Sequence, residues 1–221
     1  MPSRLRPTAS LAADAVLVGD PGRALALAQV LLEQPKMSNH ARGLWGYSGQ
    51  TPAGRALTVQ STGMGGPSAA LVLADLAELG LRRAVRVGTC VAIDPAPAPG
   101  DLLLVGEAQA WGGGGGGEQV LPDEALTAGL RDGLGGDARA GTVASLDFLH
   151  RANGRTSGGY AERVDAADMQ TATLLAGGAE HAVAIAAVLI VAESADGEQA
   201  DDETLAAAAE RAGAAAATVL G

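Results

Sequence analysis

Short apolar runs recur along the chain and alternate with amphipathic stretches. Six runs rich in Val, Leu, Ile and Ala predict strands that are buried on both faces: Ala15–Val18, Ala56–Gln60, Ala84–Val87, Leu102–Val105, Gly141–Ala144 and Ala187–Val191. Four further stretches predict helices: Arg23–Glu33, Pro67–Leu79, Asp168–Glu180 and Asp201–Leu220. This alternation predicts one α/β domain over residues 1–221, with a central mixed β-sheet flanked by helices.

Two glycine-rich stretches interrupt the pattern. Gly112–Gly117 is an unbroken run of glycine, which neither a strand nor a helix tolerates, so it predicts a surface loop. His150–Asp165 is polar and rich in glycine, and it predicts a long loop. Long loops in compact domains often cover or complete a binding site.

The composition limits the possible functions. The 221 residues can bury a sizeable core, and 15 basic against 25 acidic residues give a formal net charge of −10. An acidic surface repels phosphate backbones, and aromatic residues make up only 2% of the chain, so we expect no nucleic-acid partner.

The sequence also offers little for a metal or a membrane. Cys90 is the only cysteine and the three histidines lack metal-ligand spacing, so we predict no metal site. The longest apolar run, Ala182–Ala192, is too short to cross a bilayer, and we recognise no signal peptide. We therefore expect a cytoplasmic protein with no membrane partner.

Candidate chemistry lies where predicted strands end. Gly19–Arg23 follows a strand and opens a helix, an arrangement in which glycines, free N–H groups and an arginine can meet an anion. Ser61–Ser68 is a second glycine-rich turn of this kind, but a dinucleotide fingerprint would need glycine where Ser68 stands. By itself, either turn is also explained by tight packing of a helix against the sheet.

Arg86 is the most informative charged residue. It lies between valines in an apolar strand, and a buried charge is costly unless it is paired. A ligand-binding role for Arg86 and the nearby Thr89 is therefore favoured. In contrast, Asn39–Gly49 on its own predicts only a loop that leads into an edge strand.

Together, these motifs carry a family resemblance that none of them carries alone. The matching segments, in order, are Val16–Arg23, Asn39–Gly49, Ser61–Ser68, Arg86–Cys90, Ser145–Asp147 and Asp168–Gln170. The chain resembles the nucleoside phosphorylase family, which includes hexameric purine nucleoside phosphorylases and uridine phosphorylases. The resemblance implies phosphate-dependent cleavage of the N-glycosidic bond of a nucleoside, giving a pentose 1-phosphate and a free base.

The resemblance also implies roles for individual residues. The expected phosphate ligands are Gly19, Arg23, Arg86 and Thr89, together with Arg42 from a neighbouring subunit. The expected nucleoside contacts are Met64, Cys90, Val91, Leu149, Asp168, Met169 and Gln170. Arg86 and Glu193 are the expected catalytic residues. Inorganic phosphate is then a co-substrate with no further cofactor, and the chain forms dimers that assemble into a hexamer.

The sequence departs from the family pattern in the nucleoside half of the site. Gln170 stands where the family has a glutamate that binds the ribose, and Glu193 where purine-specific members have the aspartate that protonates the base. Val91 replaces a glycine, and Leu149 an aromatic residue. The segment between His150 and Asp168 is too short for the insertion of uridine-specific members, which favours a purine.

Three alternatives remain open at this point. A related nucleosidase would use water instead of phosphate, although Arg23 and Arg86 argue against it. A degenerate member of the family would bind a nucleoside or phosphate with little turnover, as Gln170 and Val91 suggest. A dinucleotide-binding protein would need an acidic residue at the end of the second strand, and Gln60-Ser61 does not supply one.

Overall fold

A computed structural model describes residues 4–111, 117–149 and 164–221. Most of the two predicted loops, Gly112–Gly117 and His150–Asp165, lies outside these residues. The strands, in chain order, are β1 Asp14–Val18, β2 Glu33–Asn39, β3 Gly46–Gln50, β4 Ala56–Ser61, β5 Arg83–Ala92, β6 Leu102–Ala110, β7 Glu118–Val120, β8 Ala138–Ser145, β9 Ala166–Asp168 and β10 Ala184–Glu193. The helices are α1 Pro21–Leu31, α2 Gly65–Glu78, α3 Glu124–Leu134, α4 Thr171–His181 and α5 Asp202–Leu220.

The strands form one mixed sheet, as the sequence predicts. Its order is β10-β6-β8-β9-β5-β1-β4-β3-β2, with β7 beside β6 and β10 also paired with β5. The pair β10–β5 closes a ring of five strands, from which β1, β4, β3 and β2 extend as an open sheet. Because β1 runs parallel to both β4 and β5, their carboxyl ends point towards the same edge of the sheet.

Both faces of the sheet are covered by helices, which explains the uniformly apolar strands. Val16 and Val85 pack with α1, α3 and α5 on one face, and Leu17 and Ala84 pack with α2 and α4 on the other. The alternation follows the two-residue period of a strand. Among the described helices, none has the combination of length and apolarity that spanning a bilayer requires.

Two predicted helices have different ends from those the sequence suggests. The first ends at Leu31, because the backbone becomes extended at Leu32 and continues into β2, where Gln34 takes a φ of 47°. The helix predicted from Asp168 begins at Thr171, because Asp168 pairs with Ser145 as the last residue of β9. The elements β2, β7, β9 and α3 were not predicted.

Candidate active site

A cavity of about 430 Å³ opens at the carboxyl ends of β1 and β4, beside β5 and the amino-terminal ends of α1, α2 and α4. Turns at this edge of a parallel sheet commonly form ligand sites. The cavity is lined by Gly19, Asp20, Pro21, Arg23, Gly63, Met64, Gly65, Arg86, Gly88, Thr89, Leu149, Met169 and Gln170. It thus brings together eight predicted site residues: Gly19, Arg23, Met64, Arg86, Thr89, Leu149, Met169 and Gln170.

The amino-terminal end of α1 forms one wall of the cavity. Gly19 follows β1, and the Asp20 carboxylate caps the helix by accepting a hydrogen bond from the Arg23 N–H at 2.7 Å. Pro21 occupies the first turn, where its missing N–H costs nothing. The abrupt strand-to-helix turn therefore places the Arg23 side chain and the positive end of the helix dipole at the cavity.

Arg86 places a buried positive charge at the base of the cavity. Its side chain is 4% exposed, and Nη2 donates to Asp168 Oδ2 at 2.9 Å. Nε donates to Thr171 Oγ1 at 3.0 Å, and Nη1 donates to Gln170 Oε1 at 2.8 Å. A guanidinium has five N–H donors, so two remain for a ligand after these three bonds.

The Asp168 carboxylate lies beneath Arg86 and faces the interior. It is 0% exposed and also accepts hydrogen bonds from the Ser145 hydroxyl and from the backbone N–H and hydroxyl of Thr171. Asp168 is itself held by bonds to β8 and to the first turn of α4. It therefore holds the Arg86 guanidinium in one position. Asp168 itself does not line the cavity.

Arg23 brings a second cation to the same cavity without a comparable partner. Within the described residues, no hydrogen bond or ion pair engages its guanidinium. Burial lowers the pKa of Arg23, the nearby Asp20 carboxylate raises it, and the charge of Arg86 lowers it further. Asp20 offsets part of this charge, but its carboxylate caps α1 and forms no ion pair with Arg23 among the described residues, so the Arg23 guanidinium stays available to an anion.

The Gln170 side chain forms hydrogen bonds with several segments around the cavity. Its Oε1 accepts from Arg86 Nη1 and, at 3.1 Å, from Thr62 Oγ1. Its Nε2 donates to the carbonyl oxygens of Gly63 at 2.7 Å and Gly65 at 3.1 Å. The amide is only 3% exposed, and each of its two N–H groups has a partner.

The glycine-rich turn after β4 needs glycine for steric reasons. Gly63 and Gly65 have φ values of 73° and 79°, in the left-handed region. A Cβ on Gly63 would also lie 2.5 Å from the Ser68 hydroxyl, which donates to the Thr62 carbonyl oxygen. The turn therefore presents backbone to the cavity where side chains could not fit.

Apolar side chains line the other part of the cavity. Met64, Met169 and Leu149 all line it, and Met64 is 84% exposed. Flexible thioethers adapt to the shape of a ligand, and their apolar surface suits the carbon face of a sugar or a planar ring. The cavity thus combines a cationic part with an apolar part.

Four other predicted site residues also lie outside the cavity lining. Cys90 is 1% exposed, and its Sγ donates to the Ile190 carbonyl oxygen. Burial raises the pKa of this thiol, the charge of Asp168 raises it further, and Arg86 opposes them. Val91 and Glu193 face each other across β5 and β10.

Arg42 occupies a separate surface cavity with Arg6, Thr8, His40 and Ala41. It is exposed and has a φ of 60° in a short 3-10 turn. The turn is held from inside by Asn39, whose Nδ2 donates to the Leu44 carbonyl oxygen at 2.5 Å. Arg42 therefore does not line the main cavity of its own chain.

Comparison with known proteins decides the family. A family model described as the phosphorylase superfamily matches residues 14–221. The chain belongs to the phosphorylase superfamily. The resemblance inferred from the order of the motifs is thereby confirmed.

Among curated proteins, this phosphorylase-superfamily member is similar to two DeoD-type purine nucleoside phosphorylases. It is 42% identical to the one from Oceanobacillus iheyensis over 94 residues, which cover 42% of this chain and 40% of the relative. It is 39% identical to the one from Geobacillus kaustophilus over 98 residues, which cover 44% and 41%. The match spans about two fifths of the length of these relatives.

Solved structures of phosphorylases share the fold over nearly the whole chain. A uridine phosphorylase from Vibrio fischeri superposes with a TM-score of 0.86 at 20% identity, covering 95% of this chain and 91% of that one. A purine nucleoside phosphorylase from Toxoplasma gondii gives 0.84 at 21% identity, covering 96% and 90%. These similarities confirm the predicted phosphorylase-like fold.

The cavity also contains residues for which the sequence predicted no role in the site. Asp20, Pro21, Gly63, Gly65 and Gly88 line it, although all of them stand within motifs recognised in the sequence. Thr62, Ser145 and Thr171 support it from below. Across the described parts of the chain, no group of three or more His, Cys, Asp and Glu could hold a metal ion.

Proposed function

We propose that the protein cleaves the N-glycosidic bond of a nucleoside with inorganic phosphate, releasing a pentose 1-phosphate and a free base. The observation that carries this proposal is the pair Arg23 and Arg86 at one cavity. Of the two, only Arg86 forms an ion pair among the described residues, and Arg23 has only the nearby Asp20 carboxylate, so its guanidinium donors are available to an anion. Membership of the phosphorylase superfamily supports the same reading.

Phosphate would sit against the start of α1. Backbone N–H groups at the amino-terminal end of the helix, the Arg23 guanidinium, the two remaining donors of Arg86 and the Thr89 hydroxyl would surround its oxygens. The sugar would lie over Met64 and Met169, with the base towards Leu149. This order follows the division of the cavity into a cationic part and an apolar part.

The reaction then requires little covalent participation by the protein. A phosphate oxygen attacks C1′, the bond from C1′ to the base nitrogen breaks, and its electron pair leaves with the base, which takes up a proton. Arg23 and Arg86 hold the nucleophile beneath C1′, and the phosphate charge stabilises the positive charge that develops on the sugar. Arg86 would therefore act catalytically by fixing the nucleophile.

For the base, we propose a purine, with Glu193 as the proton donor. The partial matches to purine nucleoside phosphorylases support the purine, and Glu193 lies at the end of β10, next to the strand that carries Thr89. Glu193→Gln should then lower kcat on purines. An equal rate in Glu193→Gln on every cleaved nucleoside would contradict this assignment.

We also propose that Arg42 completes the phosphate site of a second subunit in a dimer-based assembly such as a hexamer. Its separation from the cavity of its own subunit supports this arrangement. Mixing Arg42→Ala with Arg86→Ala chains should restore activity at sites that combine the two intact residues. Continued full activity of Arg42→Ala alone would contradict it.

A degenerate, binding-only protein is the second candidate, and Gln170 favours it because no carboxylate stands at that position. A panel of purine and pyrimidine nucleosides, assayed for base release with and without phosphate, separates the two. Phosphate-dependent release of a base supports the phosphorylase. Calorimetric binding of phosphate without turnover of any nucleoside would favour the degenerate protein.

A further inference from the structure

We infer that Gln170 is a positioning residue for Arg86 and the glycine-rich turn, and not a ligand of the sugar. The inference rests on the proposed function and specifies how its anion site is built. It follows from the four hydrogen bonds of one buried amide. These bonds join three separate segments: Arg86 on β5, Thr62 at the end of β4, and Gly63 with Gly65 in the turn before α2.

The bonding of Gln170 leaves little for a substrate hydroxyl. Both N–H groups donate to backbone carbonyl oxygens, and the amide oxygen already accepts from Arg86 and Thr62. An amide has two N–H donors and an oxygen with two lone pairs, so all four sites are used. A sugar hydroxyl could bond Gln170 only by displacing Arg86 or the turn.

The neutral amide also preserves the charge of the anion site. Asp168 already balances one of the two cations, and it does so from a buried position. Asp20 already acts on Arg23, so a carboxylate at position 170 would add a further negative charge beside Arg86 and lower the positive potential that attracts phosphate. It would also face the Gly63 and Gly65 carbonyl oxygens without an N–H to offer them.

A positioning role and a sugar-binding role for Gln170 predict different effects of its substitution. A residue that acts through Arg86 changes the affinity for phosphate and treats ribose and deoxyribose alike. A residue that binds the 2′-hydroxyl of the sugar changes the rate on ribonucleosides and spares 2′-deoxynucleosides, because the lost bond exists only for the former.

The experiment compares Gln170→Glu and Gln170→Ala with the wild type and with Gln50→Glu, a change of the same charge on the exposed end of β3. Phosphate affinity is measured by calorimetry. The value of kcat/KM is measured on adenosine, 2′-deoxyadenosine, uridine and 2′-deoxyuridine. Circular dichroism and thermal unfolding establish that each variant is folded.

We expect both changes at position 170 to weaken phosphate binding by roughly tenfold or more, the loss expected for a hydrogen bond to a charged group. The larger loss should occur in Gln170→Glu, and Gln50→Glu should match the wild type. The ratio of kcat/KM between each ribonucleoside and its 2′-deoxy counterpart should stay at the wild-type value in the variants.

Two results would overturn the inference while leaving the proposed function intact. One is unchanged phosphate affinity in Gln170→Glu. The other is a wild-type preference for ribonucleosides that disappears in Gln170→Ala. If the wild type binds phosphate but cleaves no nucleoside tested, the calorimetric affinities alone decide the role of Gln170. A wild type that binds no phosphate would overturn both proposals.

Discussion

The guanidinium of Arg86 lies directly against Gly88. A Cβ placed on Gly88 would lie 2.5 Å from Arg86 Nη2 and 2.6 Å from Cζ, distances that real Cβ atoms do not show. The Arg86 guanidinium therefore occupies the space that a side chain at position 88 would need. Because Arg86 also bonds Asp168, Thr171 and Gln170, it can move away from position 88 only by giving up some of these bonds.

This packing predicts that Gly88→Ala displaces Arg86. The added methyl group would also lie 2.8 Å from Leu189, so overpacking should cost about 1–3 kcal/mol of the free energy of unfolding. Phosphate affinity should fall as well, since Arg86 can no longer hold its three bonds and face the cavity. Denaturant unfolding and phosphate calorimetry measure the two effects.

Gly136→Ala is the matched control, because a Cβ on Gly136 meets no atom within 4 Å. It should leave both quantities at their wild-type values. A Gly88→Ala protein with wild-type phosphate affinity would mean that the position of Arg86 does not matter for anion binding.

Arg23 should contribute directly to phosphate binding. Arg23 lines the cavity, and no described residue forms a hydrogen bond or an ion pair with its guanidinium, so Arg23→Ala removes charge without breaking such a bond. Arg23→Ala should weaken phosphate binding by about 1.5–3 kcal/mol, the range for hydrogen bonds to charged groups. Arg55→Ala, an arginine removed from an exposed turn between β3 and β4, should have no effect on the same calorimetric titration.

Asp168 should stabilise the fold and not the bound nucleoside. In Asp168→Asn, the buried Arg86 would lose the one carboxylate that the described residues pair with it, and breaking such a pair from one side typically costs about 3–5 kcal/mol. Phosphate should then raise the Tm of Asp168→Asn by more than it raises that of the wild type, because the ligand supplies the missing negative charge. Thermal unfolding with and without phosphate measures both.

The comparison variant is Asp14→Asn, which breaks the partly exposed pair between Asp14 and Arg83. Exposed pairs contribute about 1 kcal/mol or less, so Asp14→Asn should be only slightly destabilised, with an ordinary response to phosphate. If Asp168→Asn behaved like Asp14→Asn, Asp168 would not be the anchor of Arg86.

Cys90 should be chemically inert in the folded protein. The thiol is 1% exposed, and burial together with the charge of Asp168 raises its pKa, so it stays protonated. The thiolate is the reactive form, and iodoacetamide should therefore label Cys90 only after the protein is unfolded. Mass spectrometry of native and denatured samples measures the extent of labelling. Rapid labelling of the native protein would contradict the burial of Cys90 beneath the site.

Local sequence patterns predicted most of the sheet, because each buried strand is apolar on both faces. They missed β9, whose residues Ala166–Asp168 are too few to form a pattern and are held by pairing with β5 and β8. They also missed α3, although it is capped by Asp123 and buries Leu126 and Leu130. Short elements fixed by distant partners leave little trace in local sequence.

The cationic part of the site could be predicted from the sequence, because motifs of glycine and arginine stand at strand ends. The contacts among the residues of these motifs could not be predicted. Arg86 meets Asp168 and Gln170 across more than eighty positions of sequence, and no spacing rule joins them. From the family resemblance alone, Gln170 stands in for a glutamate that binds the ribose. The four hydrogen bonds of the Gln170 amide join it to Arg86, Thr62 and the glycine-rich turn instead.

The sugar product of the wild-type protein tests most directly whether Arg23 and Arg86 hold phosphate as the nucleophile. A nucleoside that it cleaves should be incubated with and without inorganic phosphate, and the product followed by phosphorus and proton NMR. Cleavage should require phosphate, and each released base should be matched by one pentose 1-phosphate. Cleavage at the same rate without phosphate, giving free pentose, would contradict the claim that Arg23 and Arg86 hold the nucleophile.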